Sequence, residues 1–439
     1  MTASTLIDRT GRGPDPAPAR YPVLLDMTAR PALVVGGGPV AARRAAGLVE
    51  AGADVTVIAP AVCEDLADLV TGGRVRWWVQ EGSADDLARA NGRWWLVHTA
   101  TGDPDVDSAI ARRADELGVW CVRADRAGAS AAHTPAVAHG PDGIQVAVSG
   151  GGDPGRARAI RDAVAAHLAT GTLPLRRTRA RRPGGRGRVI LVGGGPGDPG
   201  LLTVAGRQWL ARADVVVTDR LGPTAVLTEL GADVEVIDVG KTAGHHPITQ
   251  DSINRILVDH ALAGRTVVRL KGGDPFVLGR GGEEALHCLE HDISVEVVPG
   301  VTSAVSVPAA AGIPVTHRGI TTSVVIASAH AGAGQALDAA RSAPRDATLV
   351  LLMGLSGLAD TAAELVASGR APDTPAAVIS DGWSPRQRTV TGTLATIACD
   401  VAAARLPGPV VIVVGEVVGL RRQLGDLSGA PPTPIRQVG

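Results

Sequence analysis

Two glycine-rich loops, each directly after a short apolar run, have the clearest chemical meaning in this sequence of 439 residues. The first is Gly36-Gly37-Gly38-Pro39-Val40-Ala41, which follows the run Ala32 to Val35. Glycines at this spacing between a strand and a helix let the pyrophosphate of a dinucleotide lie against bare backbone at the helix N-terminus. The loop therefore predicts nucleotide binding, and the alternative is a tight glycine turn without a ligand.

The acidic residue that usually holds the ribose of such a nucleotide is missing. An Asp or Glu is expected at the end of the second strand, but that strand ends with Val57-Ile58-Ala59-Pro60. The choice between NAD and NADP therefore stays open.

Asp125 follows the predicted fifth strand, where a carboxylate can act as a general base or approach a metal ion. The alternative is a solvated loop residue. His133 and His139 match no metal-ligand spacing, so we expect no fixed metal site.

The second loop begins at Gly193 and reads Gly-Gly-Gly-Pro-Gly-Asp-Pro-Gly. Pro196 has no N–H to offer a phosphate, so this loop predicts a ligand without one. A later strand ends in Leu270-Lys271-Gly272-Gly273-Asp274. Its glycines allow close approach of the backbone to a ligand, and Asp274 could accept from hydroxyl or ammonium donors.

Short Val/Ile-rich runs alternate with stretches of helical period, which predicts an α/β fold of parallel sheets with crossover helices. Seven arginines lie with Pro and Gly between Gly171 and Arg188, and we interpret this segment as a linker. A nucleic-acid-binding tail is disfavoured because the segment has no aromatic residues for stacking. The predicted organisation is a disordered N-terminus (1–20), a first domain (21–170), the linker (171–187) and a second domain (188–425) with lobes of about 188–300 and 303–425.

The composition points to a small-molecule partner in the cytoplasm. Forty-three basic and 44 acidic residues give a net charge near zero, so no electrostatic field attracts the chain to nucleic acid or to an anionic membrane. The sequence has no apolar run of about 18 residues and no secretory h-region, so we expect neither a membrane span nor export. Four scattered cysteines predict neither a disulfide framework nor a zinc ribbon. Of the basic residues only Lys241 and Lys271 are lysines, so each is expected to serve a function.

Four motifs in order resemble the uroporphyrinogen-III C-methyltransferases: Gly193 to Gly200, Leu270 to Phe276, Val298 to Ser303 and Gly312 to Arg318. The N-terminal part resembles the precorrin-2 dehydrogenase and sirohydrochlorin ferrochelatase module, so the chain from about Tyr21 resembles the fused siroheme synthases. The resemblance implies a Rossmann-like domain followed by a two-lobed methyltransferase that forms a homodimer. It also implies S-adenosylmethionine-dependent double methylation of uroporphyrinogen III to precorrin-2, NAD-dependent oxidation to sirohydrochlorin, and Fe²⁺ as a substrate if ferrochelation is retained.

The resemblance also assigns site residues by matching motif. Asp219 becomes the proton acceptor of the methyltransferase, Lys241 its proton donor, and Asp125 the essential acid of the dehydrogenase. The NAD contacts fall on Gly36, Gly38, Pro39, Val40, Pro60 and Ala61. The S-adenosylmethionine contacts fall on Pro196, Gly272, Gly273, Asp274, Val277, Thr302, Ser303, Met353 and Gly382. Ser149 matches a serine that can carry phosphate in a relative.

The N-terminal part departs from the family pattern at three points. The asparagine expected just before the valines of the fifth strand is replaced around Val122 and Arg123. The aromatic residue expected before Pro135 is absent, and Ala131, Ala132 and His133 stand there instead. Only about 35 residues separate Gly152 from the second domain, where the family has a long helical dimerisation segment. Three alternatives stay open: a methyltransferase with an inactive or NAD-sensing first domain, a nucleotide-gated regulatory domain, and a methyltransferase of later cobalamin synthesis.

Overall fold

The computed structural model of the chain describes residues 20–89, 94–176, 185–219, 222–240, 248–330, 338 and 341–428. The chain divides into two compact units, residues 1–137 with 147–161 and residues 138–146 with 162–439. Lys241, residues 1–19 of the predicted N-terminal segment and residues 177–184 of the predicted linker lie outside the described residues.

The N-terminal unit is built on a five-stranded parallel sheet of order β3-β2-β1-β4-β5. Its strands are β1 (Pro31–Val35), β2 (Asp54–Ile58), β3 (Val75–Trp78), β4 (Leu96–Thr99) and β5 (Trp120–Arg123). Its helices are α1 (Pro39–Glu50), α2 (Glu64–Thr71), α3 (Asp86–Arg89) and α4 (Pro104–Glu116). A two-stranded sheet of β6 (Ala136–His139) and β7 (Gln145–Val148) follows, and then helix α5 (Pro154–Thr170).

Both faces of the first sheet are covered, which explains why its central strand β1 is apolar at every position. Along β1, Ala32 and Val34 pack in one cluster with helix α1, while Leu33 and Val35 pack in a second cluster on the opposite face. Successive side chains of a strand point to opposite faces, so a doubly covered strand needs apolar residues at every position.

His98 lies in strand β4 and is 3% exposed. Burial lowers its pKa to about 4, and the nearby Arg44 contributes to the same direction. The neutral ring is therefore the form that the folded unit accommodates.

We expect the N-terminal unit to lose stability in mild acid because of His98. A histidine whose pKa is lower in the folded state than in the unfolded state contributes stability above pH 6.5, and this contribution is lost as the pH falls toward 4. The expected loss between pH 7.5 and pH 5 is about 2 kcal/mol. Urea unfolding followed by tryptophan fluorescence measures it, since five of the seven tryptophans lie in residues 77–120. His98→Gln should flatten the pH dependence; an unchanged slope would contradict the assignment.

The second unit contains two further five-stranded sheets. The first of these, of order β10-β9-β11-β8-β12, is parallel throughout. Its strands are β8 (Arg188–Gly193), β9 (Val215–Thr218), β10 (Glu235–Asp238), β11 (Thr266–Lys271) and β12 (Ser294–Val298). The helices of this region are α6 (Val204–Arg212), α7 (Gln250–Leu262) and α8 (Gly281–Glu290).

The last sheet has the order β13-β14-β17-β15-β16. Its strands are β13 (Val324–Ser328), β14 (Thr348–Leu352), β15 (Pro375–Ser380), β16 (Arg388–Thr393) and β17 (Val410–Val414). The helices of this part are α9 (Ser303–Ala310), α10 (Leu358–Ala367), α11 (Ile397–Ala404) and α12 (Arg421–Leu424).

The predicted α/β fold class is confirmed, but the expectation of parallel sheets throughout is wrong for this last sheet. Strand β13 pairs parallel with β14, whereas β17 runs antiparallel to both β14 and β15, and β16 is antiparallel to β15. Strand β17 is buried at all five positions. A strand covered on both faces has the same apolar composition in either direction, so its direction could not be read from composition.

None of the helices in the described ranges is long and apolar enough to cross a membrane. In the same residues, no group of three or more His, Cys, Asp or Glu side chains is placed to hold a metal ion.

Candidate active sites

The first glycine loop lies at the carboxyl edge of the first sheet, between β1 and α1. Gly36 donates its N–H to the carbonyl of Ile58 at 2.9 Å, and Gly37 accepts from the N–H of Cys63 at 2.8 Å. A Cβ on Gly37 would overlap the carbonyl oxygen of Ala61. The predicted contacts Pro60 and Ala61 therefore lie in a loop that is packed directly against the glycine loop.

Gly38 differs from its neighbours because a Cβ added there meets nothing within 4 Å. It is the N-cap of α1, it makes no side-chain cap, and Pro39 occupies the first helical turn. The backbone at the start of this helix, from Gly38 to Val40, is therefore exposed. This cradle, which a Cβ would fill, fits the pyrophosphate of a dinucleotide, and Val40 at the helix start is 37% exposed.

We expect Gly38→Ala to weaken NAD binding without unfolding the N-terminal unit. The new methyl group would occupy the space in which the pyrophosphate lies against the backbone, and we expect roughly a tenfold increase in Kd, or about 1.4 kcal/mol. Isothermal titration with NAD⁺ measures this. The matched control is Gly47→Ala, which makes the same change on the same helix at an exposed position, also with nothing within 4 Å. Equal affinity of the two variants would contradict the prediction.

Asp125 lies just after β5, at the same carboxyl edge as the glycine loop. Its carboxylate forms a bidentate (two-pronged) ion pair with Arg123, in which Nε donates to Oδ1 at 2.9 Å and Nη2 donates to Oδ2 at 2.6 Å. These hydrogen bonds lower the pKa of Asp125, because the guanidinium stabilises the carboxylate. The residue is therefore an ionised, paired acid in an exposed loop, and its side chain is 26% exposed.

The second glycine loop, after β8, meets two other loops at the carboxyl edge of its sheet. Gly195 and Gly273 exchange backbone hydrogen bonds of 3.1 and 2.6 Å, and both have positive φ, 76° and 66°. A Cβ on Gly300 would overlap the backbone of Gly193 and the carbonyl of Gly273. Only glycine permits this contact, which brings the predicted residues Pro196, Gly272 and Gly273 into one region.

Asp274 has a structural role that the sequence did not indicate. Its Oδ1 accepts from the N–H of Phe276 at 2.8 Å, and its Oδ2 accepts from the N–H of Gly300 at 3.0 Å. Both oxygens thus fix the loops after β11 and β12. Val277, also predicted as a contact, closes the same turn by donating its N–H to the Asp274 carbonyl at 3.4 Å.

Helix α9 connects this region with the last sheet. Thr302 caps the helix through its hydroxyl, and a Cβ on Gly273 would lie 3.5 Å from the N atom of Ser303. Further along the helix, the Val307 side chain fills the space beside Gly382. The predicted residues Thr302, Ser303 and Gly382 are therefore linked through one helix.

Met353 completes the predicted set on the second lobe. It follows β14 with φ 61° and is 50% exposed. Strands β14 and β15 both run antiparallel to β17, so Met353 and Gly382 follow strand ends at the same edge of the sheet. Uncharged backbone, two small hydroxyls and this thioether suit a ligand with an adenosyl and an amino-acid part, so the residues present fit S-adenosylmethionine.

Asp219 follows β9 at the carboxyl edge of the parallel sheet, and its side chain is 26% exposed. Arg269, on the neighbouring strand β11, donates from Nη2 to its Oδ2 at 3.0 Å. The side chain of Arg269 is 3% exposed. The carboxylate of Asp219, the predicted proton acceptor, is therefore held in place by the buried guanidinium of Arg269.

Arg269 belongs to a buried ionic cluster with Lys271 and Glu284, which sequence reasoning did not identify. Glu284 Oε1 accepts from Lys271 Nζ at 2.9 Å, from Arg269 Nε at 3.2 Å and from Gln250 Nε2 at 3.2 Å. Glu284 is fully buried, and its Oε2 has no hydrogen-bond partner among the described residues. The available signal was the pair of charges at alternate positions in the otherwise apolar strand Val267 to Lys271.

Burial lowers the pKa of Lys271, and the charge of Arg269 lowers it further, while Glu284 opposes both effects. The cluster thus contains two cations that depend on one buried carboxylate. Asp219 supplies the second negative charge, so the four side chains are electrically balanced when both acids are ionised.

Two family models match the chain. Residues 188–398 match the tetrapyrrole (corrin/porphyrin) methylases, and residues 23–136 match a putative NAD(P)-binding family. The crystal structure of uroporphyrin III C-methyl transferase from Thermus thermophilus is 40% identical, covers 53% of this chain and 100% of its own, and has a TM-score of 0.45.

Full-length relatives match both parts together. Siroheme synthase 2 of Halorhodospira halophila is 37% identical over 467 aligned positions, which cover 94% of this chain and 93% of the relative. Siroheme synthase of Neisseria meningitidis is 37% identical over 92% of this chain and 93% of its own length. Identity at this level over nearly the whole of both chains confirms the predicted resemblance, and the chain belongs to the siroheme synthase family.

Proposed function

We propose that the chain converts uroporphyrinogen III to precorrin-2 by two methyl transfers, oxidises precorrin-2 to sirohydrochlorin, and inserts Fe²⁺ as a substrate to give siroheme. The observation that carries the proposal is the presence, in one chain of this family, of two separate glycine-lined sites at carboxyl edges of parallel sheets. We assign methylation to residues 188–425 and the later steps to residues 21–170.

S-Adenosylmethionine supplies an electrophilic methyl group and NAD a hydride acceptor when they are bound. The methyltransferase residues then have two tasks, to orient a pyrrole carbon and to remove one proton for each methyl group added. Asp219 suits the second task because its carboxylate lies at the sheet edge and Arg269 fixes it at 3.0 Å. Lys241 is proposed as the proton donor on the resemblance alone.

In the N-terminal unit, oxidation of precorrin-2 removes a hydride and a proton. We propose that the backbone of Gly36 to Val40 binds the nucleotide. We also propose that Asp125, which is ionised, faces the tetrapyrrole. We place these reactions in the cytoplasm, where thiols such as the four free cysteines of this chain stay reduced. A homodimer is also proposed from the resemblance, and light scattering of the purified chain tests it.

The function is tested by adding substrates in sequence. Purified protein is given uroporphyrinogen III with S-adenosylmethionine, then NAD⁺, then Fe²⁺, and the products are identified by mass after each addition. We expect a gain of two methyl groups, then a loss of two hydrogens, then replacement of two protons by iron. Failure of the first step would overturn the methyltransferase proposal. Methylation without the later steps would instead support a first domain that only senses NAD.

A further inference from the structure

Both oxygens of Asp125 are engaged by one guanidinium, at 2.9 and 2.6 Å. This two-pronged geometry is the strongest form of pairing between arginine and a carboxylate. Any other cation that binds the Asp125 carboxylate must therefore share it with Arg123 or displace Arg123 from it.

Arg123 is not free to move away from Asp125. Its side chain is 5% exposed, and its Nη1 donates to the Ser108 hydroxyl at 2.7 Å. Nη2 also reaches the carbonyl of Pro104 at 3.4 Å, so the guanidinium is fastened to the first turns of α4. Swinging away from Asp125 would break these contacts and leave buried donors without partners.

The positive charge of Arg123 affects the two reactions proposed for the N-terminal unit differently. Metal insertion brings a divalent cation to the tetrapyrrole, two nitrogen–metal bonds replace two N–H bonds, and two protons leave. A fixed positive charge beside the only acid proposed for the site opposes the approach of the metal. Hydride transfer to NAD brings no metal ion, so it is less sensitive to that charge.

We propose that Arg123 is a specificity-determining residue that restrains Asp125 and slows metal insertion, so that metal insertion is the slower of the two reactions of the N-terminal unit. This inference rests on the proposed function of that unit. It concerns the stretch around Val122 and Arg123, where the chain departs from the family pattern.

The test supplies sirohydrochlorin directly to the full chain with Co²⁺, a redox-stable probe for Fe²⁺, and follows absorbance. Arg123→Val removes the charge and introduces a residue that suits a strand. We expect its KM for Co²⁺ to fall about tenfold. Ser108→Ala, which loosens Arg123 without touching the ion pair, should produce a smaller fall. Methylation by the second unit and the Kd for NAD⁺ report on folding and should be unchanged.

A merely structural role of Arg123 would not lower the KM for Co²⁺. An unchanged or higher KM in Arg123→Val, with NAD⁺ affinity intact, would overturn the inference. If Arg123→Val binds NAD⁺ poorly, Arg123→Gln decides, because glutamine removes the positive charge but keeps a polar side chain that can still donate to its neighbours. An unchanged KM for Co²⁺ in that variant would also overturn the inference. Failure of the proposed function is distinguishable, since it appears as unmodified protein that neither reduces NAD⁺ with precorrin-2 nor inserts Co²⁺ into sirohydrochlorin.

Discussion

Replacement of Asp219 by asparagine is expected to lower the rate of uroporphyrinogen III methylation by about 10²–10⁴-fold, the usual contribution of a positioned acid or base. The amide keeps the shape of the side chain and can still accept from Arg269 Nη2, which lies 3.0 Å from Oδ2. It cannot take up a proton from the tetrapyrrole. The loss should therefore appear in kcat, while the KM for S-adenosylmethionine changes little.

The matched control for Asp219→Asn is Asp214→Asn. Asp214 precedes the same strand, β9, and is also paired with an arginine, since Arg176 Nε lies 2.8 Å from its Oδ1. It is at the opposite end of the strand from the glycine loops, so Asp214→Asn should methylate at nearly the unmodified rate. Measurement of methyl transfer from radiolabelled S-adenosylmethionine compares the two. Equal rates in both variants would show that Asp219 is not the proton acceptor.

Local patterns in the sequence were sufficient to locate the two glycine loops and most strands. The second strand, whose end the sequence placed at Val57-Ile58, is β2 (Asp54–Ile58), and it was recognisable because Val55, Val57 and Ile58 are buried on its two faces. Strand β16, Arg388–Thr393, was missed, since it reads Arg-Thr-Val-Thr-Gly-Thr and has no continuous apolar run. The direction of the strands in the last sheet was predicted wrongly, because an apolar composition does not show whether a strand is parallel or antiparallel to its neighbours.

The parts of the sites that sequence reasoning missed depend on contacts between distant residues. Arg269 and Glu284 are 15 positions apart and meet through a strand and the helix that follows it. Arg123 was noticed only as a departure from a family pattern, and its pairing with Asp125 is a matter of side-chain geometry. The survival of Lys271 in a chain with so few lysines did predict importance, but not that its partner would be a buried acid.

Glu284→Gln is expected to destabilise the second unit by about 3–5 kcal/mol, because it leaves Lys271 and Arg269 without the buried charge that both share. Urea unfolding measures this loss. The control is Glu283→Gln on the same helix: its side chain is 55% exposed and pairs with Arg280, so the change should cost less than about 1 kcal/mol. Equal effects of the two changes would show that the cluster does not stabilise the fold.

The pH dependence of the Glu284→Gln variant tests the cause of the loss. Glu284 is a group that opposes the lowered pKa of Lys271, so its removal should lower that pKa further below 10.5. A lysine with a lower pKa in the folded state costs stability while it is protonated, and this cost diminishes as the pH rises toward 10.5. The destabilisation should therefore be smaller at pH 9 than at pH 7.

A double variant tests the same cause in a second way. Adding Lys271→Met to Glu284→Leu should recover much of the stability, since only the Arg269–Asp219 pair then remains charged. A loss that is independent of pH and unchanged in the double variant would mean that packing around Glu284, rather than charge balance, holds this region together.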